Sequence, residues 1–401
     1  MANIANAGVE PILGSAARAD VHAQARTRLL AIDALRGLVM VFMLVDHVRE
    51  IVYAHHAVTD PMNALTIEPA LFFTRMTSQI CAPIFVALTG LSAFLYGQSH
   101  TKRETSVFLL KRGLFLIALE FTLVNGAWAA QHWPPTFWLQ VIWAIGLSMI
   151  ALAGLLHLPR AWQLGVGVVI VAGHNLLDGI VLTPASPFYL PWTILHQRAL
   201  FDVGGGVAIK ISYPVLPWIG VILLGYAIGP WFARGSDPAL RMKRLLILGG
   251  SMIAAFVLIR FANVYGDHPW THTGDSLRTT MSFLSATKYP PSLMFLLPTL
   301  GLGLVLLALF EQVQEGQLVP TLAFLGGAPM FFYIMHLYVL KALYFIAVAV
   351  FGKNQGATFG VDHVWQIWLI ATVLLAPLYI PSRWFAGFKQ RRRDIWWLRY
   401  L

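Results

Sequence analysis

The sequence predicts an all-α, polytopic membrane protein, and three observations carry that prediction. Of its 401 residues, 58% are hydrophobic and only 11% are charged, a balance foreign to soluble domains. Apolar runs of about 18 residues or more recur along almost the whole chain, which is the length a helix needs to cross hydrocarbon. The runs lack the short alternating segments of a membrane β-barrel.

Ten spans are expected, at roughly 29–54, 70–98, 107–128, 137–157, 161–180, 213–232, 242–261, 291–311, 321–351 and 363–387. Charge sets their direction. With a cytoplasmic N-terminus, the inner segments hold Arg18, Arg26, Arg28, Lys102, Arg103, Lys111, Arg112, Arg160, Arg234, Arg241, Lys243 and Arg244, and the tail adds Arg383, Lys389, Arg391, Arg392, Arg393 and Arg399. Most cations thus lie on one side, which places both termini in the cytoplasm. The same residues explain the net charge of +10 without nucleic acid, because they set topology and contact anionic lipid. No cleavable signal peptide is visible, so the first span is expected to serve as an uncleaved insertion signal. Cys81 is the only cysteine, which excludes an intrachain disulfide and a thiolate metal cluster. The expected division is a tail (1–28), one transmembrane domain (29–388) and a basic, aromatic tail (389–401) with Trp396, Trp397 and Tyr400 at the inner leaflet.

The first span, Leu29 to Glu50, carries charges where they are expensive. Asp33, Arg36, Asp46 and His47 sit in an otherwise apolar run, and an ionisable group in hydrocarbon costs several kcal/mol unless it faces protein or water. Asp33 and Arg36 are an i,i+3 pair. Arg36 and His47, eleven residues apart, lie about 20° from eclipsed and about 16 Å apart along the axis. One helix face therefore carries an Arg–Asp pair near one surface and a histidine deeper toward the other. A histidine takes a proton from a hydroxyl or amine at neutral pH and returns it, as acyl transfer requires. Asp46 joins His47 as a catalytic candidate.

Further along, Arg75 near the outer end of span two is a candidate contact for an anionic acceptor, or a side chain that snorkels. Glu120, deep in span three, has no obvious partner in the sequence and reads as a buried carboxyl, protonated or hydrogen-bonded, rather than a catalytic group. His174, Asn175 and Asp178 form a polar cluster in span five, which is either a helix-packing network or an acceptor site. Two outer loops are long, 181–212 with Trp192, His196, Arg198 and a Gly204-Gly205-Gly206 turn, and 262–290 with Asp267, His268, His272, Asp275, Arg278 and Lys288. Such loops commonly bind ligands. Tyr289-Pro290-Pro291 stops any helix arriving from the second loop, so span eight begins just after it. His336 lies mid-span, where it either packs or lines a substrate tunnel. Histidines 55, 56, 132, 196, 268, 272 and 363 fall on the outer side, but no HExxH or comparable spacing supports a metal, and none is expected.

Asp33-Ala-Leu-Arg36-Gly37, followed by an apolar run to Asp46-His47, resembles the first span of the transmembrane acyltransferases, whose bacterial sugar O-acetyltransferases carry an arginine, ten residues and a histidine. Cys81 to Gly90, Tyr213 to Gly220, Thr287 to Ser292 and Phe331 to His336 are similar to the bacterial branch named after heparan-α-glucosaminide N-acetyltransferase. The resemblance implies transfer of an acetyl group from cytosolic acetyl-CoA to a saccharide on the periplasmic side. Arg36 would hold a phosphate or the pantetheine group, Asp33 would fix its guanidinium, and Lys288 would add a contact. His47 would be the base. The animal lysosomal enzymes have asparagine where His47 stands and a histidine just beyond the first span, so a loop histidine, His55 or His56, is the alternative base. Arg75, His55 and His56 are the first acceptor-binding candidates, followed by His174, Asp178, His196 and His336. Two other classes compete: a secondary transporter or flippase, which also needs intramembrane His and Asp, and an inactive envelope-assembly protein. No matched halves with broken helices favour the transporter. Whether the chain acts as a monomer or a homodimer is left open.

Overall fold

The computed structural model describes residues 15–129, 136–313, 316–392 and 394–400, so His132 and Arg393 lie outside the described residues. The chain is mostly helical. The first helix, α1 (Ser15–Val52), runs through the expected boundary at residue 28. It is the central rod, touching α2 (Pro69–Gln79), α3 (Cys81–Gly97), and the late helices α12 (Leu293–Gln312), α13 (Leu318–Gly326), α14 (Pro329–Phe351) and α15 (Val364–Arg391). Ala31, Ala34, Leu35, Val39, Met40, Leu44 and Val48 are buried around its circumference, as expected of a helix that is apolar on nearly every side.

Between these elements come α4 (Lys102–Leu119), a π-turn at Glu120–Val124, α5 (Asn125–Ala129), α6 (Val141–Leu155), α7 (Arg160–Gly173), α8 (Tyr189–Leu195), α9 (Leu216–Ala227), α10 (Pro238–Ala262) and α11 (Ser276–Leu284). Among the described residues, five stretches are long and apolar enough to cross a membrane: Pro69–Gly97, Pro238–Ala262, Leu293–Gln312, Pro329–Phe351 and Val364–Lys389. The helix α1 falls outside this set because Asp33, Arg36, Asp46, Arg49 and Glu50 interrupt its apolar run. The expected spans at 137–157, 161–180 and 213–232 contain helices of only 15, 14 and 12 residues, short of the roughly 20 that a perpendicular crossing needs. The stretch expected as one span at 321–351 is broken at Gly327-Ala328, just before Pro329 at the first position of α14. That proline lacks an N–H and cannot continue a preceding helix. By contrast, α12 begins two residues past the Tyr289-Pro290-Pro291 stop, with Ser292 accepting from the Phe295 N–H at 3.0 Å as its cap.

The all-α expectation misses a small sheet. Strands β1 (Thr136–Leu139), β2 (Ala199–Gly204) and β3 (Val207–Ile211) are arranged in the order β1-β3-β2, with β1 parallel and β2 antiparallel to β3. Gly204, Gly205 and Gly206 all have positive φ, which a side chain resists, and they turn the β2–β3 hairpin. The long loops are thus ordered. Arg260 donates to the carbonyls of His268, Ser282, Phe283 and Ser285, and the Asp60 carboxylate accepts from the Lys288 and Tyr289 N–H groups, each at 2.9 Å. Burial nevertheless raises the pKa of Asp60, against the pull of those partners. These contacts close one end of the bundle, called the loop end below.

At the other end, α1 and α13 are pressed together through glycines. A Cβ on Gly37 would overlap the Leu322 carbonyl, and one on Gly326 would overlap the Asp33 carbonyl. Small residues at facing positions let membrane helices approach this closely, and here they set the Arg36 turn of α1 against Gly326-Gly327.

Candidate active site

Arg36 and His47 on the α1 stripe both have side-chain partners on other helices. At the lower turn, Arg36 Nη1 donates to Asp33 Oδ1 at 2.5 Å, and its other terminal nitrogen donates to the Ser92 hydroxyl on α3. This guanidinium opens on a chamber of about 260 Å³, whose wall includes Ser92, Arg112, Met330, Tyr333 and Lys389. Three cations, Arg36, Arg112 and Lys389, thus share the chamber, with Asp33 beside it paired to Arg36. Among the described residues, the Nε of Arg112 is buried without a hydrogen-bond partner. An excess of guanidinium and ammonium groups around one space is suited to phosphate.

Three turns on, His47 meets a partner that its own segment does not reveal. Its Nδ1 lies 2.6 Å from Nε2 of His336 on α14, and His336 Nδ1 lies 2.7 Å from the Phe332 carbonyl. The ring planes differ by 9° with centroids 4.9 Å apart. So short an N···N contact at that separation puts the rings edge to edge in nearly one plane rather than face to face. The network assigns the protons. A carbonyl only accepts, so His336 Nδ1 carries hydrogen. Neutral His336 then accepts at Nε2, His47 Nδ1–H donates to it, and Nε2 of neutral His47 is left with its lone pair. His336 is fully buried.

The His47 ring is also boxed by Trp128, 5.5 Å away at 89°, and by Tyr333, 5.8 Å away at 66°. Trp128 stands on α5, just past the π-turn. There Asn125 donates to the Glu120 and Trp138 carbonyls and accepts from the Trp138 N–H. Glu120 is the buried carboxyl the sequence suggests, accepting from the Gln140 N–H at 2.9 Å. Inserted residues of this kind often mark functional positions.

Beyond His47 lies a larger chamber of about 850 Å³ at the loop end. Arg49, Arg75, Arg198, Lys288 and Lys341 line it, with Glu50 and Asp60 as the acidic members, and Trp128, Trp138, Tyr213, Tyr289 and Tyr344 supply aromatic faces. Two chambers therefore flank the stripe. His47 stands at the partition, touching Tyr333 from the wall of one and Trp128 from the wall of the other.

The remaining sequence candidates divide by place. Asp46 is buried and held at both carboxylate oxygens, by Arg49 at 2.9 Å and by Arg75, so the structure makes it the anchor of two chamber arginines. Arg75 therefore does not snorkel. Lys288 lines the larger chamber and not the one at Arg36. His56 lines that chamber too and stacks on Tyr53, with centroids 4.5 Å apart. His55 turns away beside Gly360, its Nδ1 buried without a partner, and burial followed by the neighbouring His56 lowers its pKa. His174, Asp178 and His196 come together with one another and line neither chamber. Sequence reasoning passed over Arg112, Lys341 and Lys389 as chamber cations. The signal was present for Lys341, an ionisable residue inside an apolar run; Arg112 and Lys389 read equally well as topogenic charges.

Residues 28–249, more than half of the chain, match the family described as heparan-alpha-glucosaminide N-acetyltransferase, catalytic. The chain belongs to the heparan-alpha-glucosaminide N-acetyltransferase family. No curated protein matches it. Family membership makes it a membrane protein of acyltransferase type. The matched segment contains Arg36, His47, Arg75 and Arg112, whereas His336, Lys288 and Lys389 are supplied by the part of the chain that follows it.

Proposed function

We propose that this protein is an integral-membrane acetyltransferase that moves an acetyl group from acetyl-CoA to a carbohydrate-type acceptor, with His47 as general base. The observation that carries the reading is the position of His47 between a small cationic chamber and a larger cationic, aromatic one. In this reading the Arg36 chamber opens to the cytoplasm, and Arg36, Arg112 and Lys389 hold the anionic pantetheine–phosphate part of the donor. Asp33 keeps the Arg36 fork in place. The acceptor occupies the larger chamber, with sugar faces against the tryptophan and tyrosine rings and any acidic substituent against Arg75, Lys288 and Arg198.

His47 Nε2 removes the proton from the acceptor O–H or N–H as that atom attacks the thioester carbonyl. The C–S bond then breaks, and the CoA sulfur leaves with the proton from the imidazolium. His336 accepts from His47 Nδ1–H throughout and so steadies the cation that forms, as an orienting partner does for a catalytic histidine. The proposed setting is a bacterial inner membrane with ten crossings and both termini in the cytoplasm, α6, α7 and α9 completing the short crossings with the non-helical segments beside them and by local thinning of the bilayer. A proteoliposome assay with radiolabelled acetyl-CoA outside and saccharide inside tests the reading. Label appearing on saccharide supports it, and uptake of saccharide without acetylation would instead identify a transporter.

A further inference from the structure

His174, Asp178 and His196 lie apart from both chambers, yet their ligand-capable atoms stand within 4.8 Å of one another. His174 ends α7, Asp178 follows one turn later, and His196 caps the end of α8. The closest pair is His196 Nε2 and Asp178 Oδ1, at 3.5 Å. A packing network accounts for part of this. His196 Nε2–H donates to the His174 carbonyl at 3.0 Å, a proton that a bound ion would displace, and Asn175 donates to Asp178 Oδ2 at 2.8 Å while accepting from the Leu293 N–H at 2.9 Å.

The network does not account for the His174 ring. That side chain is 2% exposed, and neither ring nitrogen has a hydrogen-bond partner of good geometry among the described residues. An imidazole so buried normally donates from one nitrogen and accepts at the other. One side of the ring faces the Pro291 carbonyl, the kind of outer group to which a metal-bound histidine donates its spare N–H. One ring nitrogen belongs to the trio.

We propose that His174, Asp178 and His196 bind a divalent transition-metal ion of the zinc class, which fastens the 181–212 segment to the end of α7. Two imidazoles and one carboxylate are a zinc-type donor set, and the usual bond lengths put tetrahedral ligand atoms about 3.3 Å apart. The His196–Asp178 pair, at 3.5 Å, is already close to that spacing, and the remaining pairs, within 4.8 Å, close up on binding. Asp178 Oδ1 is the oxygen turned toward His196, since Oδ2 is held by Asn175, and the half-exposed Asp178 leaves the fourth position to water. The ring of Trp192 stacks on His196, with centroids 5.2 Å apart, which keeps that ligand's plane fixed. The segment so tethered carries Arg198 and the β2–β3 hairpin, so the ion would steady one wall of the larger chamber without taking part in chemistry. The absence of a metal motif in the sequence is no obstacle, because the ligands come from two separated segments.

The full-length protein in detergent, stripped with chelator, is titrated with Zn²⁺ and with Co²⁺. The expected result is one Zn²⁺ retained per chain after dialysis and four-coordinate Co²⁺ ligand-field bands. Asp178→Asn, a surface change that preserves folding, and His196→Ala each weaken binding by at least about tenfold, the loss typical of disturbing even an outer-shell partner. The thermal midpoint of the wild type rises with added Zn²⁺, and that of Asp178→Asn moves less. A His268→Ala/His272→Ala variant keeps full affinity. Less than stoichiometric Zn²⁺ in the wild type, or a loss in the His268/His272 variant equal to that in Asp178→Asn, overturns the proposal.

Discussion

Replacing His336 tests how His47 is prepared for catalysis. His336→Ala removes the only hydrogen-bond partner of His47 among the described residues and leaves the Nδ1–H of His47 facing a cavity among Phe332, Tyr333 and Trp128. An unmet buried donor costs about 1–3 kcal/mol. The ring escapes that cost by rotating or by moving its proton to Nε2, and either change removes the lone pair that the reaction uses. If the whole cost falls on the reactive arrangement, kcat drops by about 5- to 160-fold at 1.36 kcal/mol per decade. Donor KM stays within about twofold, because Arg36 and its chamber are untouched. His336→Gln keeps a side-chain acceptor in the same place and recovers most of the rate. The assay is steady-state acetyl transfer in proteoliposomes, with donor KM and kcat separated and thermal unfolding recorded for each variant. Unchanged kcat in His336→Ala, or equal loss in the Ala and Gln variants at unchanged thermal stability, would refute the reasoning.

Other consequences follow from the same geometry. Asp46→Ala leaves Arg49 and Arg75 buried beside a missing carboxylate, so it lowers stability by about 3–5 kcal/mol, read as a fall in the thermal midpoint in detergent; unaltered stability with abolished turnover would return Asp46 to the chemistry. Arg36→Ala removes charge-assisted bonds worth about 1.5–3 kcal/mol and raises donor KM about 10- to 150-fold, while Arg36→Lys recovers only part because the planar fork is lost; equal donor KM in all three proteins speaks against the donor chamber. Because burial lowers the pKa of His55, the folded state binds fewer protons there than the unfolded state does. Its contribution to stability is therefore held above about pH 6.5 and lost as the pH falls below it. His55→Gln flattens the acid side of the midpoint-against-pH curve, and an identical curve in wild type and variant contradicts the assignment.

Much of the central rod was legible in the sequence because ionisable residues in an apolar run are conspicuous, and helical spacing alone puts Arg36 and His47 on one face. The Arg36–Asp33 pair is as the i,i+3 spacing suggests. What the sequence hid was long-range. His336 is 289 positions from His47, and nothing local marks it as a partner. Lys288 looks like a companion for Arg36 by charge, but no sequence pattern tells which chamber a loop lysine enters, and the Asp60 carboxylate holds its backbone at the loop end. The β1 strand escaped notice because Thr136–Leu139 heads an apolar run that continues as α6, so its apolarity reads as more helix. The hairpin of β2 and β3 had a glycine turn as its signal, but the flanking alternation was too short to outweigh the surrounding helices. Arg112 and Lys389 were indistinguishable from topogenic charges because a cation near a helix end satisfies the positive-inside rule whether or not it faces a cavity.

The most direct measurement is a single-turnover acetyl transfer in which His47→Ala is compared with the wild type, alongside binding of a non-transferable acetyl-CoA analogue to each. A base held between two chambers predicts that transfer in His47→Ala falls to background while the analogue binds within about twofold of wild type, the donor contacts at Arg36 being intact. Near-normal transfer by His47→Ala, with His56→Ala inactive, would place the base in the loop and contradict the account.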